Sequence, residues 1–266
     1  MTTTTMKRVN RPGFLWALTD LGILIKRSLT HITRNMDQLL GVAFQPIMFM
    51  LLFRYVFGGA IETGTSYVNF LVPGILIQMA AFGATTTSFS VASDIQQGII
   101  DRLKSLPIAS YGVVAGHVIA DLFRNLLSSV ILIAVAFAVG FRPQAGFTDW
   151  LAILGLLLVF TFAFSWASAI MGLLAKSVQA VQWMTFIVIF PLTFASAAFV
   201  PTSTMPKYLR IFAENQPITH VIEAMRALML GNNPGNHYWI ALIWLGAITA
   251  ISIPIAAYLF RHHTSK

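Results

Sequence analysis

The chain has 266 residues, of which 57% are hydrophobic and only 10% are charged, whereas an ordinary soluble domain is about 25% charged. A soluble fold of this composition would expose large apolar patches, a disordered chain would lack its apolar residues, and the absence of cysteine excludes disulfide frameworks and thiol chemistry. The formal net charge of +8 does not indicate a nucleic-acid partner, because the basic residues flank long apolar segments. The composition predicts an integral membrane protein surrounded by membrane lipid.

Residues 1–38 are polar and basic, and they are predicted to form a cytoplasmic tail with an amphipathic helix. Apolar residues between Phe14 and Ile32 recur three or four positions apart, with Lys26 and Arg27 among them. This pattern indicates a helix lying in the membrane surface. A cytosolic helix packed on a partner is the alternative.

Six apolar segments follow, and most have the length of about 20 residues that a helix needs to cross a bilayer. Because barrel strands would instead alternate polar and apolar residues, we expect an all-α integral membrane protein with six transmembrane helices. The predicted spans are Leu39–Phe57, Asn69–Ala92, Tyr111–Val139, Trp150–Leu174, Val181–Val200 and Tyr238–Phe260. Most loop Lys and Arg residues lie on the side of the N terminus, which predicts that both termini, including the tail 261–266, are cytoplasmic.

Sequence motifs for nucleotide, dinucleotide or zinc chemistry are absent. The chain contains no G-x-x-x-x-G-K-[ST], no G-x-G-x-x-G and no H-E-x-x-H, and its histidines do not form a metal-binding pattern. We therefore expect no catalytic residue and no cofactor or metal bound by this chain. Any work that it performs draws its energy from elsewhere.

The segment 94–106, between spans two and three, is predicted to be a cytoplasmic helix. Ile95, Ile99 and Leu103 recur on one face, and Pro107 cannot extend the helix. Such a helix suits docking into a groove on a partner. A surface helix that only reverses the chain is the alternative.

Three stretches resemble the ABC-2-type exporter permeases, in particular the daunorubicin-resistance branch. The Asp-Arg-Leu-Lys-Ser-Leu-Pro run at 101–107 is similar to their coupling helix, and 45–61 and 199–231 are similar to their first span and to the region before the last span. Two departures are Asp101, where Glu is frequent, and Gln216, which interrupts an Asn-Pro pair. Together the stretches cover nearly the whole chain in order.

The resemblance implies an ABC-2, type V exporter-like permease fold over 39–260, in a bacterial inner membrane. It implies a homodimer with two copies of a separate ATP-binding cassette subunit, which would bind ATP and Mg. The substrates would be hydrophobic or amphipathic drug-like, antibiotic or lipid compounds. The residues implied in coupling to the ATPase are Asp94, Gln97, Asp101, Arg102, Leu103 and Lys104.

Spans two and five each carry a stripe of polar and aromatic side chains, which is typical of a pathway for a flat amphipathic molecule. The candidate pathway residues are Gln78, Phe82, Thr86, Phe89, Gln182, Phe186, Ile189 and Thr193. Helix packing through Ser and Thr would give a similar pattern, but the resemblance implies a cavity between these spans. Neither stripe has a carboxylate, which disfavours a proton-driven carrier. In span three, Asp121 and Arg124 are predicted to be a structural pair, with a proton relay as the alternative.

The segment 201–236 is predicted to be extracellular, with two short helices that dip back into the membrane. Glu223 and Arg226 lie three residues apart and are candidate residues of an extracellular gate, whereas a packed lid without a role in gating is the alternative. Other functions stay open: export of a glycolipid or polysaccharide, an ATP-independent channel or secondary carrier, and a membrane scaffold. The predominance of Phe over Trp and Tyr in the stripes favours a drug or lipid over a sugar.

Overall fold

The computed structural model describes residues 36–61, 64–99 and 112–262, and side chains within 44–61, 64–99 and 113–260. The predicted interfacial helix and the coupling residues Asp101, Arg102, Leu103 and Lys104 lie outside these ranges. All regular elements in the described ranges are helical. The helices are α1 (Met36–Leu52), α2 (Tyr67–Gln96), α3 (Gly112–Val139), α4 (Phe147–Leu174), α5 (Val178–Phe194), α6 (Lys207–Asn215), α7 (Pro217–Met229) and α8 (Gly235–His262). A π-helical turn, Phe53–Phe57, continues α1.

Within the part of the chain that the structure describes, four helices are long and apolar enough to cross a membrane, namely α2, α3, α4 and α8. The π-extended α1 and α5 are shorter apolar helices. The all-helical prediction is therefore confirmed for the described ranges. Six spans and the orientation of the termini stay predictions.

Helix α2 lies at the centre of the molecule and contacts α1, α3, α4, α5 and α7. It is buried on most of its circumference, including polar residues such as Gln78, Thr85 and Ser88. Two close approaches depend on glycine. A Cβ on Gly74 would lie 2.3 Å from the Ala198 carbonyl oxygen, and one on Gly172 of α4 would lie 2.5 Å from that of Ser88.

Several predicted boundaries differ from the observed helix bounds by two to six residues, and the structure gives the reasons. α2 continues to Gln96 instead of ending at Ala92, because the first residue that interrupts it is Gly98, which has a φ of +66°. Asp94 therefore belongs to α2, and not to the start of a separate coupling helix. α4 begins at Phe147, where Asp149 accepts a hydrogen bond of 2.8 Å from the Gly146 N–H.

The largest boundary error concerns span five, which was predicted to reach Val200. α5 begins at Val178, where Ser177 caps it by accepting from the Ala180 N–H, and it ends at Phe194. Residues 195–200 are apolar and buried almost throughout, but they are not helical. Hydropathy alone does not distinguish a helix from irregular backbone that is buried within the protein.

Candidate functional site

The non-helical 195–200 segment lies at the end of the molecule where α2 begins and α5 ends, which we call the closure end. Side chains from neighbouring elements satisfy its backbone. Gln216 donates to the Ala195 carbonyl, the Ala197 N–H donates to Thr219 Oγ1 at 3.3 Å, and Tyr67 Oη donates to the Phe199 carbonyl at 3.0 Å. Irregular backbone at membrane depth requires such partners. The segment is thus held in place by α2 and α7.

Arg226 joins three elements at this end, although it lies on α7 with only 6% of its surface exposed. Its Nε donates to the Phe70 carbonyl on α2 at 3.1 Å, and its Nη2 donates to the Ala197 carbonyl. Its Nη1 pairs with Glu223 Oε1 at 2.6 Å, and the guanidinium lies 3.7 Å from the centroid of the Phe70 ring. Burial lowers the pKa of Arg226, and the Glu223 carboxylate opposes that shift. The predicted Glu223–Arg226 pairing is present, and the arginine makes further bonds that the sequence did not indicate.

Two more contacts between ionisable side chains involve α6, α7 and α8. His220 Nδ1 on α7 is 3.0 Å from His237 Nδ1 on α8, so one of these nitrogens donates and the other accepts. Burial, with a smaller contribution from His237, lowers the pKa of His220. On α6, Arg210 Nε donates to Glu214 at 2.7 Å, and this hydrogen bond lowers the pKa of the exposed glutamate.

A second polar cluster surrounds Asp121 of α3, a carboxylate with 2% exposure. Arg124 donates to it at 2.6 Å, Thr86 Oγ1 donates at 3.0 Å, and the backbone N–H and the hydroxyl of Thr87 both donate to it. Ser165 of α4 is 3.5 Å away. A buried carboxylate needs donors of this kind. The predicted Asp121–Arg124 pair therefore exists, and it holds α2, α3 and α4 together.

The described coupling candidates, Asp94 and Gln97, lie at the opposite end of α2. Asp94 Oδ2 is 2.8 Å from Nε2 of His117 on α3. The Gln97 side chain donates to Ser93 Oγ at 2.9 Å. The Asp94–His117 contact therefore connects the two helices that flank the segment 100–111.

The pathway candidates on α2 differ in burial and in whether the side chain already has a hydrogen-bond partner. Gln78 is buried, and its Nε2 has no hydrogen-bond partner. Phe82 and Phe89 are half-buried, whereas Thr86 already donates to Asp121. Gln78 is thus the polar member of this stripe with an amide available to a new partner.

The α5 candidates divide into two pairs. Gln182 and Phe186, near the beginning of the helix, are exposed. Ile189 and Thr193, nearer its end, are buried, and Thr193 Oγ1 donates to the Ile189 carbonyl at 2.9 Å. The stripe therefore runs from a free surface into the packed bundle at the closure end.

The sequence reasoning missed the residues that act across long separations. Tyr67 and Thr219 were not singled out, and Gln216 was noted only as a departure from a family motif, although all three hold the 195–200 segment. The Asp94–His117 contact was not anticipated. Spacing of three or four residues predicts contacts within one helix. Contacts between helices depend on packing, for which the sequence carries no comparable signal.

The long apolar helices indicate a multi-pass membrane protein. Comparison with known proteins identifies its family. Residues 19–230 match the family described as ABC-2 type transporter. The chain therefore belongs to the ABC-2 type transporter family, whose members are transport permease subunits.

Three relatives illustrate where in the family the chain lies. It is 30% identical, over 90% of this chain and 87% of the relative, to the daunorubicin resistance ABC transporter permease protein DrrB1 of Streptomyces coeruleorubidus. It is 24% identical, over 86% of this chain and 84% of the relative, to the probable doxorubicin resistance ABC transporter permease protein DrrC of Mycobacterium tuberculosis. It is 26% identical, over 71% and 75% respectively, to the inner membrane transport permease YadH of Escherichia coli. The sequence-based identification of this family is confirmed.

Proposed function

We propose that this chain is the membrane subunit of an ATP-driven exporter that moves hydrophobic or amphipathic drug-like compounds out of the cell. Family membership supports a transport function, and the drug-resistance permeases among its relatives support drugs as the cargo. In this account the chain itself performs no catalysis. A separate ATP-binding cassette subunit binds ATP and Mg.

The observation that carries the proposal is the buried closure at 195–200. A permease needs a barrier that opens and closes, and in this proposal the barrier is the non-helical 195–200 backbone, in which the carbonyls of Ala195, Ala197 and Phe199 accept hydrogen bonds from side chains. Arg226, Tyr67 and Thr219 hold it to α2 and α7. In this proposal Glu223 and Arg226 act as the gate on the extracellular side, because Arg226 is the side chain that bonds to both α2 and the segment, and breaking its bonds loosens an attachment that Tyr67 and Thr219 then hold without it.

Coupling would begin at the cytoplasmic end of α2. Asp94, Gln97 and the residues 101–104 would contact the ATPase subunit, and the Asp94–His117 contact would pass the movement to α3. Two ATPase subunits closing around ATP would shift the population towards the open state by binding that state more tightly. The complete assembly would contain two copies of this chain, with both termini in the cytoplasm.

The substrate would pass between the faces of α2 and α5 that carry the predicted pathway residues. The free Gln78 amide would offer a hydrogen bond at little desolvation cost, and Phe82, Phe89 and Phe186 would offer apolar ring surface. Thr86, which already binds Asp121, would contribute through the position of α2 and not through direct contact.

Transport in inverted membrane vesicles tests this function. Vesicles that contain the chain together with its ATPase should take up daunorubicin when ATP is added. They should not do so with a non-hydrolysable ATP analogue or when the ATPase is omitted. Uptake without ATP would contradict the proposal and favour a channel or secondary carrier. ATP-driven movement of a glycolipid, but not of daunorubicin, would favour the alternative cargo.

A further inference from the structure

Six phenylalanine rings form a continuous row from the middle of α5 to the π-helical turn that continues α1. We call it the phenylalanine row. Its members, in spatial order, are Phe186, Phe190, Phe194, Phe199, Phe53 and Phe57. The distances between successive ring centroids are 4.8, 4.2, 5.0, 4.4 and 5.2 Å. Three of the five distances lie within the range of favourable aromatic pairs, about 4.5–7 Å, and the other two, 4.2 and 4.4 Å, are slightly shorter.

The row has a local cause in each element. On α5 the rings recur every four residues, so that they lie along one face of the helix. On α1 the π-helical turn spans Phe53–Phe57. Such turns occur frequently at functional sites. Phe199, in the non-helical 195–200 segment, connects the two parts.

Exposure along the row follows a pattern. Phe186 is 51% exposed at one end and Phe57 is 41% exposed at the other, whereas Phe199 in the middle is only 4% exposed. The backbone on either side of Phe199 is held by the contacts of Tyr67 and Arg226. The row is thus accessible at both ends and closed at Phe199, within the segment that forms the closure.

The chemistry of the row favours one class of ligand. α5 has no charged residue, and Gln182 is an exposed hydrogen-bonding group one turn before Phe186. Phenylalanine faces attract other rings and delocalised cations. The lipid-exposed surface of α4 differs, because its exposed large side chains after Phe147 are all Leu or Val. An acyl chain would gain only apolar contact from a row of rings, as it would from aliphatic side chains, whereas a flat aromatic molecule would also gain ring stacking.

We infer that Phe186 and Phe190 form a stacking site for flat aromatic compounds that are neutral or carry a delocalised positive charge. Phe199, which is buried in this structure, separates this site from Phe53 and Phe57. The inference rests on the proposed transport function and specifies its substrate class. Release of the 195–200 segment would move Phe199 and connect the two exposed parts of the row.

Two cations of equal charge and different shape test the inference in vesicles that contain the complete permease–ATPase complex. Ethidium is flat and aromatic, whereas dodecyltrimethylammonium is aliphatic. Phe186→Leu and Phe190→Leu keep apolar volume but remove the ring. Phe190→Tyr keeps the ring, and Ile187→Ala alters an exposed α5 side chain outside the row.

Each Leu substitution should raise the KM for ethidium by about three- to tenfold, the range expected for the loss of one ring pair. The KM for dodecyltrimethylammonium should change by less than about twofold, and I187A should resemble the wild type for both cations. F190Y, which keeps the ring, should retain the preference for ethidium that F190L loses. Equal effects on both cations, or no effect on ethidium, would overturn the inference. Wild-type transport of dodecyltrimethylammonium alone would also overturn it while leaving the proposed function intact. Transport of neither cation would overturn the inference, and the absence of daunorubicin uptake in the same vesicles would also contradict the proposed function.

Discussion

Arg226 shows how one side chain can hold a buried non-helical segment in place. It is buried, and its guanidinium donates hydrogen bonds to the Phe70 carbonyl, the Ala197 carbonyl and the Glu223 carboxylate at the same time. A planar fork with several donors can do this, whereas a lysine ammonium on a flexible chain cannot match the same three directions. The three-residue spacing predicted the bond to Glu223, because both residues lie on one helix. The bonds to Phe70 and Ala197 could not be predicted, since they depend on how α7 packs against distant parts of the chain.

The substitution Arg226→Lys tests this role. It should lower the free energy of unfolding by roughly 2–4 kcal/mol, because two charge-assisted bonds to buried carbonyls are lost. Arg210→Lys is the matched control, since Arg210 bonds to Glu214 on the exposed surface of α6. Thermal unfolding of the purified proteins in lipid nanodiscs measures both. Equal stability of the two variants would show that the closure does not depend on the arginine.

Among the secondary-structure elements, α2 and the 195–200 segment illustrate what apolar composition predicts and what it does not. Composition predicted the positions of α2, α3, α4 and α8 to within a few residues, because each is a long apolar helix. It failed after Phe194, where the chain stays apolar but leaves the helix. The partners that make this possible are polar side chains on α2 and α7, and their arrangement follows only from the packed structure.

A substitution at Gly74 tests the contact between α2 and the 195–200 segment. Gly74→Ala should destabilise the protein by about 1–3 kcal/mol, the usual cost of overpacking, because the new Cβ would lie 2.3 Å from the Ala198 carbonyl oxygen. Gly155→Ala on α4 is the control, since no heavy atom lies within 4 Å of its Cβ position. Thermal unfolding should show a lower midpoint for G74A alone. Two unchanged midpoints would mean that α2 and the 195–200 segment are farther apart than described.

At the scale of the whole molecule, we propose that this chain forms the transport path while a separate subunit hydrolyses ATP. The sequence has no P-loop motif, and the chain belongs to a family of transport permeases. Polar contacts are found at both ends of α2: Asp94 contacts His117 next to the predicted coupling segment, and Tyr67 bonds to Phe199 at the closure end. Sequence motifs predicted the family, because they occur in order along the chain. They could not establish the number of copies or the contacts with an ATPase, since these lie between chains.

Native mass spectrometry of the protein, gently extracted from its own membrane, would show whether a separate ATPase accompanies this chain. The account predicts an assembly of two copies of this chain with two P-loop ATPase subunits, and a change in that assembly when ATP and Mg are added. A chain that is released alone, and whose spectrum is unchanged by nucleotide, would contradict the account.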